Sequence, residues 1–148
     1  MRRLRDATLD EVVAATPDDP ATRKVTETHQ PFEVWRLESP DDLGQVRMQL
    51  PTGEGGTIAE LYPAFLAWID APERTPEERA RYFERHHDVE TEAHREWTKA
   101  IVLGPGRQIH DGKHRLLAAY AHAIAGIEVS LDVFWGGVDR SLHGPTGE

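Results

Sequence analysis

Lys99-Ala-Ile-Val-Leu-Gly-Pro-Gly-Arg-Gln-Ile-His-Asp-Gly-Lys-His-Arg-Leu-Leu-Ala-Ala-Tyr120 is the stretch that decides what fold to expect. Ala100 to Leu103 is a short apolar strand, Gly104-Pro105-Gly106 turns the chain, and Arg107 to His110 returns as the second strand of a hairpin. Asp111-Gly112 ends that strand. The Leu- and Ala-rich run from Lys113 to Ala125 then predicts a helix, with Gly126 closing it. Ile127, Val129, Leu131, Val133 and Trp135 alternate with Glu128, Ser130 and Asp132, the period of a half-buried strand. Hairpin, helix and strand in that order predict an α/β (α+β) domain, a small mixed sheet with helices packed on it.

Working back toward the N-terminus, Thr75-Pro76-Glu77-Glu78 is a helix start: a capping Thr, Pro at the first helical position and Glu three residues after the cap. Tyr82, His86, Val89, Ala93 and Trp97 carry its apolar stripe to about Trp97. Thr57 and Glu60 form a second capping box, followed by Leu61, Tyr62, Phe65, Trp68 and Ile69 at helical spacing. Pro63 falls inside that run and is also suited to begin a shorter helix. Pro51 to Gly56 is a loop. Val46, Met48 and Leu50 share one face of a strand over 45–50, Ser39-Pro40-Asp41-Asp42 is a turn, and Pro31 to Leu37 is a strand. Residues 1–30 are expected to be an N-terminal appendage, polar beyond a short helix capped by Thr8 and Glu11. Residues 31–136 are the domain proper and 137–148 a polar tail.

Composition narrows the chemistry. The chain has 148 residues, 39% hydrophobic and 29% charged, a globular balance with room for one core. It has no cysteine, so disulfides, thiolate metal sites and cysteine nucleophiles are out. The first residues offer no apolar stretch of signal-peptide length and no window is apolar enough to span a bilayer; a cytoplasmic location away from membranes is expected. A formal net charge of -9 disfavours nucleic acid as a partner. Residues 99–115 run against that balance: Lys99, Arg107, Lys113 and Arg115 face Asp111 alone, with His110 and His114 among them. A basic island on an acidic chain suits a compact anion.

Gly112, Lys113, His114 and Arg115 are the candidate phosphate-binding residues. The first turn of a helix presents amides without intrahelical partners, the helix dipole adds positive charge, glycine permits close backbone approach, and an Arg fork matches phosphate oxygens. The alternative is purely structural: Asp111 as an N-cap and Gly112 as a turn residue. His86, His87, Asp88, Glu90 and His94 look like metal ligands, but His87 and His94 lie seven residues apart, about 10 Å along a helix, too far to share one ion. No resident metal site is expected. Trp35, Trp68, Trp97 and Trp135 each fall in an apolar pattern and read as core.

The run from Lys99 to Tyr120, with the rest of its helix and the strand to Trp135, resembles the nucleotide-binding core of the ParB/sulfiredoxin-like superfamily. Members carry a strand, a turn, an Asp-Gly-x-x-Arg or Gly-x-His-Arg loop and an Ala-rich helix. The resemblance covers about forty residues well, is weaker over 31–50, and is not detectable over 1–30. It implies that Gly112 to Arg115 hold nucleotide phosphates. Sulfiredoxins place a cysteine where Lys113 stands, so their reaction is excluded. ParB proteins use Gly-Glu-Arg-Arg, and Lys113 and His114 depart from it. The loop is closest to that of free-serine-kinase-like members, Asp-Gly-His-x-Arg, which Asp111, Gly112 and Arg115 match and Lys113 does not. In that branch a carboxylate after the first strand deprotonates the acceptor hydroxyl, which points to Glu38, Asp41 or Asp42, while Asp111 takes Mg²⁺ or the acceptor.

The function expected is therefore a phosphotransferase or nucleotide hydrolase using ATP, ADP or another nucleotide with Mg²⁺, acting on a small hydroxyl-bearing molecule or peptide. A non-catalytic binding or regulatory module that recognises a nucleotide or a partner protein is the alternative, and a DNA-acting nuclease is a third class that the net charge disfavours.

Overall fold

The computed structural model describes residues 1–16, 20–78 and 101–138, the His114 side chain excepted. Its centre is a five-stranded mixed sheet. In chain order the strands are β1 (Arg2–Ala7), β2 (Phe32–Leu37), β5 (Ile101–Leu103), β6 (Ile109–Asp111) and β7 (Leu131–Gly136), and their spatial order is β1-β2-β7-β5-β6. The β7–β5 pair is parallel and the others are antiparallel. A separate two-stranded ribbon joins β3 (Arg47–Gln49) to β4 (Gly55–Thr57). The helices are α1 (Leu9–Ala15), α2 (Pro20–Thr28), α3 (Pro40–Gly44), α4 (Ile58–Asp70) and α5 (Lys113–Ile124). A mixed α/β fold is as the sequence predicts. No helix among the described residues is long and apolar enough to cross a membrane.

Strand alternation assigns the two faces. Trp35 and Leu37 of β2, Leu131, Val133 and Trp135 of β7, and Ile101 and Leu103 of β5 point to one side. There they meet Leu43 of α3, Leu61, Phe65 and Ile69 of α4, and Leu116, Leu117, Ala119 and Ala123 of α5, forming the main core. The opposite face carries a smaller cluster, Phe32, Val102 and Phe134 against Val12, Leu9 and Ala7. α5 is the crossover between β6 and the parallel pair β5–β7, as a parallel connection requires. Its C-terminus is a Schellman turn: the N–H of Ile127 donates to His122 O at 3.0 Å, and Gly126 takes φ +87°.

Local capping signals are realised. The capping boxes Thr8–Glu11 and Thr57–Glu60 both form, and Thr75 Oγ accepts from the Glu78 N–H at 3.1 Å. The helix expected to run from there to Trp97, with its histidines, lies outside the described residues beyond Glu78. Pro63 does not start a shorter helix. α4 runs through it, since the missing N–H removes one helical bond while Leu61, Phe65 and Ile69 remain buried.

Three expectations need correction. Residues 1–30 are not an appendage: β1 pairs along β2 as the edge strand, Val12 of α1 is fully buried against the sheet, and α2 closes over β6 through Thr26. The turn at 39–42 is a short helix, α3, because Ser39 and Asp42 form a capping box around Pro40. Finally, the loop over 51–56 ends in β4, where Gly55 and Gly56 pair with Gln49 and Met48.

Candidate functional site

β6 is an edge strand, and β3 touches its free side at one point, a parallel bridge between Arg47 and Gln108. Beyond that bridge lies a cavity of about 440 Å³ lined by Gln49 of β3 and by Gln108, Ile109, His110, Asp111, Gly112 and Lys113. The volume falls in the range of small-ligand sites, roughly 300–1,000 Å³. The wall therefore contains the end of β6, the loop, and the first residue of α5.

Gly112 is the N-cap of α5 in a left-handed conformation, φ 98° and ψ 22°, and makes no side-chain cap. Asp111 is thus not the cap, and the first amides of α5 gain no side-chain acceptor from the capping position. Glycine is required twice over: a Cβ here would lie 2.9 Å from Ile101 Cγ1 and 3.0 Å from Arg115 Nη2. The chain passes so close to β5 that only a bare Cα fits.

Lys113 is half-buried, has no ion-pair partner among the described residues, and its ammonium pKa is pushed down by burial alone. An uncompensated cation on a cavity wall is costly without an anion beside it. Arg115, one turn into α5, holds Nη2 3.7 Å from Asp111 Oδ2, with both side chains mostly buried. Arg115 is not part of the cavity wall, but Asp111 is, so the pair ties the loop to the helix. His114 is the second residue of α5.

His110 occupies the opposite side of β6 from Ile109 and Asp111 by strand alternation. Its Nε2 lies 3.1 Å from the hydroxyl of Thr26 on α2, which itself donates to Thr22 O at 2.8 Å. Thr26 is completely buried. The His29 ring stands edge-on to that of His110, centroids 5.7 Å apart, and packs on Gly104, where a Cβ would be 2.9 Å from His29 Nδ1. Burial lowers the His110 pKa from its ordinary value, His29 lowers it further, and Asp111 opposes both.

The residues singled out from sequence are only partly brought together. Asp111, Gly112 and Lys113 share the cavity wall. Glu38, Asp41 and Asp42 do not line it; they follow the C-terminal end of β2, and β2 is separated from β6 by β7 and β5. Their oxygens are also engaged elsewhere. Glu38 pairs with Arg2 at 2.7 Å. Asp42 Oδ2 accepts from the N–H groups of Glu38 at 2.9 Å and Ser39 at 3.3 Å, and Oδ1 meets the α-amino group of Met1 at 2.5 Å. Burial would raise the Asp42 pKa, but these donors together hold it below the usual carboxylate range. A carboxylate so stabilised is a poor base. Asp41 is exposed at the start of α3.

Arg107, part of the basic island, turns away from the loop: its guanidinium bonds Gln45 and stands 5.6 Å from the Trp135 ring. Gln49, Gln108 and His110 enter the site without having been singled out from sequence. Only His110 left a trace there, as the residue immediately before Asp111-Gly112. Trp35 and Trp135 are core residues as expected, with rings 5.1 Å apart. Among the described residues, no three His, Cys, Asp or Glu side chains are grouped to hold a metal ion.

Compared with protein-family models, curated proteins and solved structures, the chain matches none.

Proposed function

We propose that the cavity at 108–113 binds the phosphates of a nucleotide, and that the chain is a ParB/sulfiredoxin-like phosphotransferase or nucleotide hydrolase acting on a small hydroxyl-bearing molecule or peptide. The observation that carries this reading is Lys113: a half-buried ammonium with no anionic partner among the described residues, on a cavity wall where a helix begins with a glycine cap. A phosphate there supplies the missing counter-charge and meets the open amides of the first turn of α5. Gly112 lets it approach the backbone, and the Arg115–Asp111 pair keeps the loop in place.

ATP, ADP or another nucleotide with Mg²⁺ is the cofactor this reading requires. Among the described residues, Asp111 is the one carboxylate on the cavity wall. A Mg²⁺ ion held by one protein carboxylate, substrate phosphates and water is the usual arrangement, so this donor set fits the ion only with a nucleotide bound. Mg²⁺ would neutralise charge on the transferring phosphoryl group.

Thermal unfolding with ATP, ADP, CTP and GTP, each with and without Mg²⁺, tests the reading. A nucleotide at about a hundred times its dissociation constant adds ~2.7 kcal/mol. The expected result is a clear upward shift with one nucleotide, abolished in Lys113→Ala and weakened in Arg115→Ala. If none shifts the protein, or Lys113→Ala leaves the shift intact, the site assignment is wrong. The binding-module alternative gains support from one feature, the distance of Glu38, Asp41 and Asp42 from the cavity. It predicts nucleotide binding with no product over hours.

A further inference from the structure

We propose that the cavity holds the ribose of the nucleotide as well as its phosphates, with the carboxamides of Gln49 and Gln108 reading the sugar hydroxyls, so that ribonucleotides bind in preference to deoxyribonucleotides. The inference rests on the nucleotide reading above and gives a role to the part of the cavity wall that the phosphates do not use. Gln108 precedes β6, while Gly112 and Lys113 follow it, so the wall runs along the whole strand. Lys113 and the first amides of α5 stand at one end and Gln108 at the other, with Gln49 beside the strand on β3.

Met48 of β3 belongs to the main core and Ile109 of β6 packs against it, so their chain neighbours Gln49 and Gln108 take the opposite face of the two strands. The parallel bridge sets Arg47 level with Gln108 and brings that shared face together. The main-chain groups of Gln108 are engaged in the hairpin: its C=O accepts from the Gly104 N–H at 2.8 Å, and its N–H donates to Pro105 O at 3.4 Å. What Gln108 presents to a ligand is its carboxamide, on an exposed residue and without a hydrogen-bond partner among the described residues. Gln49 Nε2 donates to Gly53 O at 2.9 Å, in the turn of the β3–β4 ribbon. A main-chain carbonyl only accepts, so nitrogen is the atom that faces it, and Oε1 is left to accept from a ligand. Each sugar hydroxyl donates one proton and also accepts. A fixed acceptor beside a carboxamide able to do both meets a pair of them. A base is the poorer occupant, because beside two exposed glutamines its flat faces would stay in water.

The test is calorimetry on the full chain with the Mg²⁺ complexes of ATP, CTP and GTP, of their 2′-deoxy and 3′-deoxy counterparts, and of inorganic triphosphate. The nucleotide that binds should bind roughly tenfold more tightly as the ribonucleotide than in a deoxy form, about the worth of one neutral hydrogen bond. In Gln108→Ala that preference should fall to about one, and in Gln49→Ala it should shrink. Affinity for inorganic triphosphate should be the same in both variants as in wild type, and Lys113→Ala should lose triphosphate and nucleotide alike. Gln49→Ala also removes the bond to Gly53, so thermal unfolding checks that each variant is folded at the assay temperature, and Gln108→Ala carries the test without that bond being touched. Equal affinity for ribo and deoxy forms in wild type overturns the sugar assignment and leaves the phosphate site standing. So does a full preference that survives in Gln108→Ala, or a loss of triphosphate affinity in that variant, which would make the carboxamide a phosphate ligand. Failure of wild type to bind any nucleotide overturns the reading beneath it, and this inference with it.

Discussion

Replacing Gly112 by alanine should damage the protein more than the same change at Gly126, although both glycines have positive φ. Gly126 takes φ +87° with nothing within 4 Å of a would-be Cβ. Its substitution meets only the cost of a left-handed residue, ~1–2 kcal/mol, less the ~0.4–1 kcal/mol gained by stiffening the unfolded chain, for a net loss of about 1 kcal/mol. Gly112 takes φ +98°, and its Cβ would sit 2.9 Å from Ile101 Cγ1 and 3.3 Å from Ile101 Cα. Ile101 is 1% exposed and belongs to β5 in the centre of the sheet, so neither atom can retreat cheaply. Overpacking of that kind adds ~1–3 kcal/mol, giving a total of about 2–4 kcal/mol. At ~2–4 °C per kcal/mol for a chain of this size, the Tm of Gly112→Ala should fall by roughly 4–16 °C and that of Gly126→Ala by roughly 2–4 °C. Urea unfolding supplies the free energies, with m unchanged in both variants. Equal losses at the two positions would refute the close approach of the loop to β5, and with it the claim that glycine is needed there for more than its φ.

Two further perturbations separate structure from function. Asp42→Asn should cost about 1 kcal/mol at pH 7, because the capping box around α3 and the contact with the Met1 amine both depend on the carboxylate. Its folded pKa is depressed, so its contribution is complete above the ordinary carboxylate pKa and is lost as pH falls through the folded value. Urea unfolding across pH 2–7 should then show wild type and variant converging in acid, and a gap independent of pH would count against the pairing. Lys113→Met should stabilise the ligand-free protein at pH 7 while abolishing the nucleotide-induced shift. Because burial lowers the Lys113 pKa, the unfolded chain holds that proton to higher pH than the folded one. Wild-type stability should therefore rise as pH climbs toward the unfolded value near 10.4, closing the difference from the variant. A less stable Lys113→Met that still responds to nucleotide would sink the assignment.

What could be seen in the sequence is what is encoded within a few residues. Thr8–Glu11 and Thr57–Glu60 are complete within one turn of helix, so their pattern and their structure coincide. The alternation from Val129 to Trp135 reports burial directly, since Val129, Leu131, Val133 and Trp135 are all buried. β1 and α2 gave no such signal. The side chains of Arg2 to Asp6 are exposed, and the strand exists because β2 offers a backbone edge thirty residues away. α2 buries one residue, Thr26, whose role is a hydrogen bond to a histidine 84 positions along the chain. Without α2 there was nothing to suggest that the outer face of β6 was covered, and His110 read only as a residue lying within the basic island. The loop at 111–113 was legible because glycine, lysine and helix start are consecutive; Gln49, supplied by another ribbon, was not.

That Glu38, Asp41 and Asp42 lie off the cavity wall also avoids an electrostatic conflict. A carboxylate poised to activate a hydroxyl must stand within hydrogen-bonding reach of the phosphoryl group being attacked, where it repels the nucleotide. At 4 Å and the effective dielectric of a protein surface, one such pair costs ~4 kcal/mol, nearly three powers of ten in affinity. Glu38, Asp41 and Asp42 do not line the cavity, and Glu38 and Asp42 are held by Arg2 and the Met1 amine instead. The cavity wall, with Lys113 unpaired among the described residues and Asp111 partly answered by Arg115, is left to attract an anion. The acidic residues after β2 serve the fold: Asp42 caps α3 and meets the Met1 amine, and Glu38 binds Arg2 of β1.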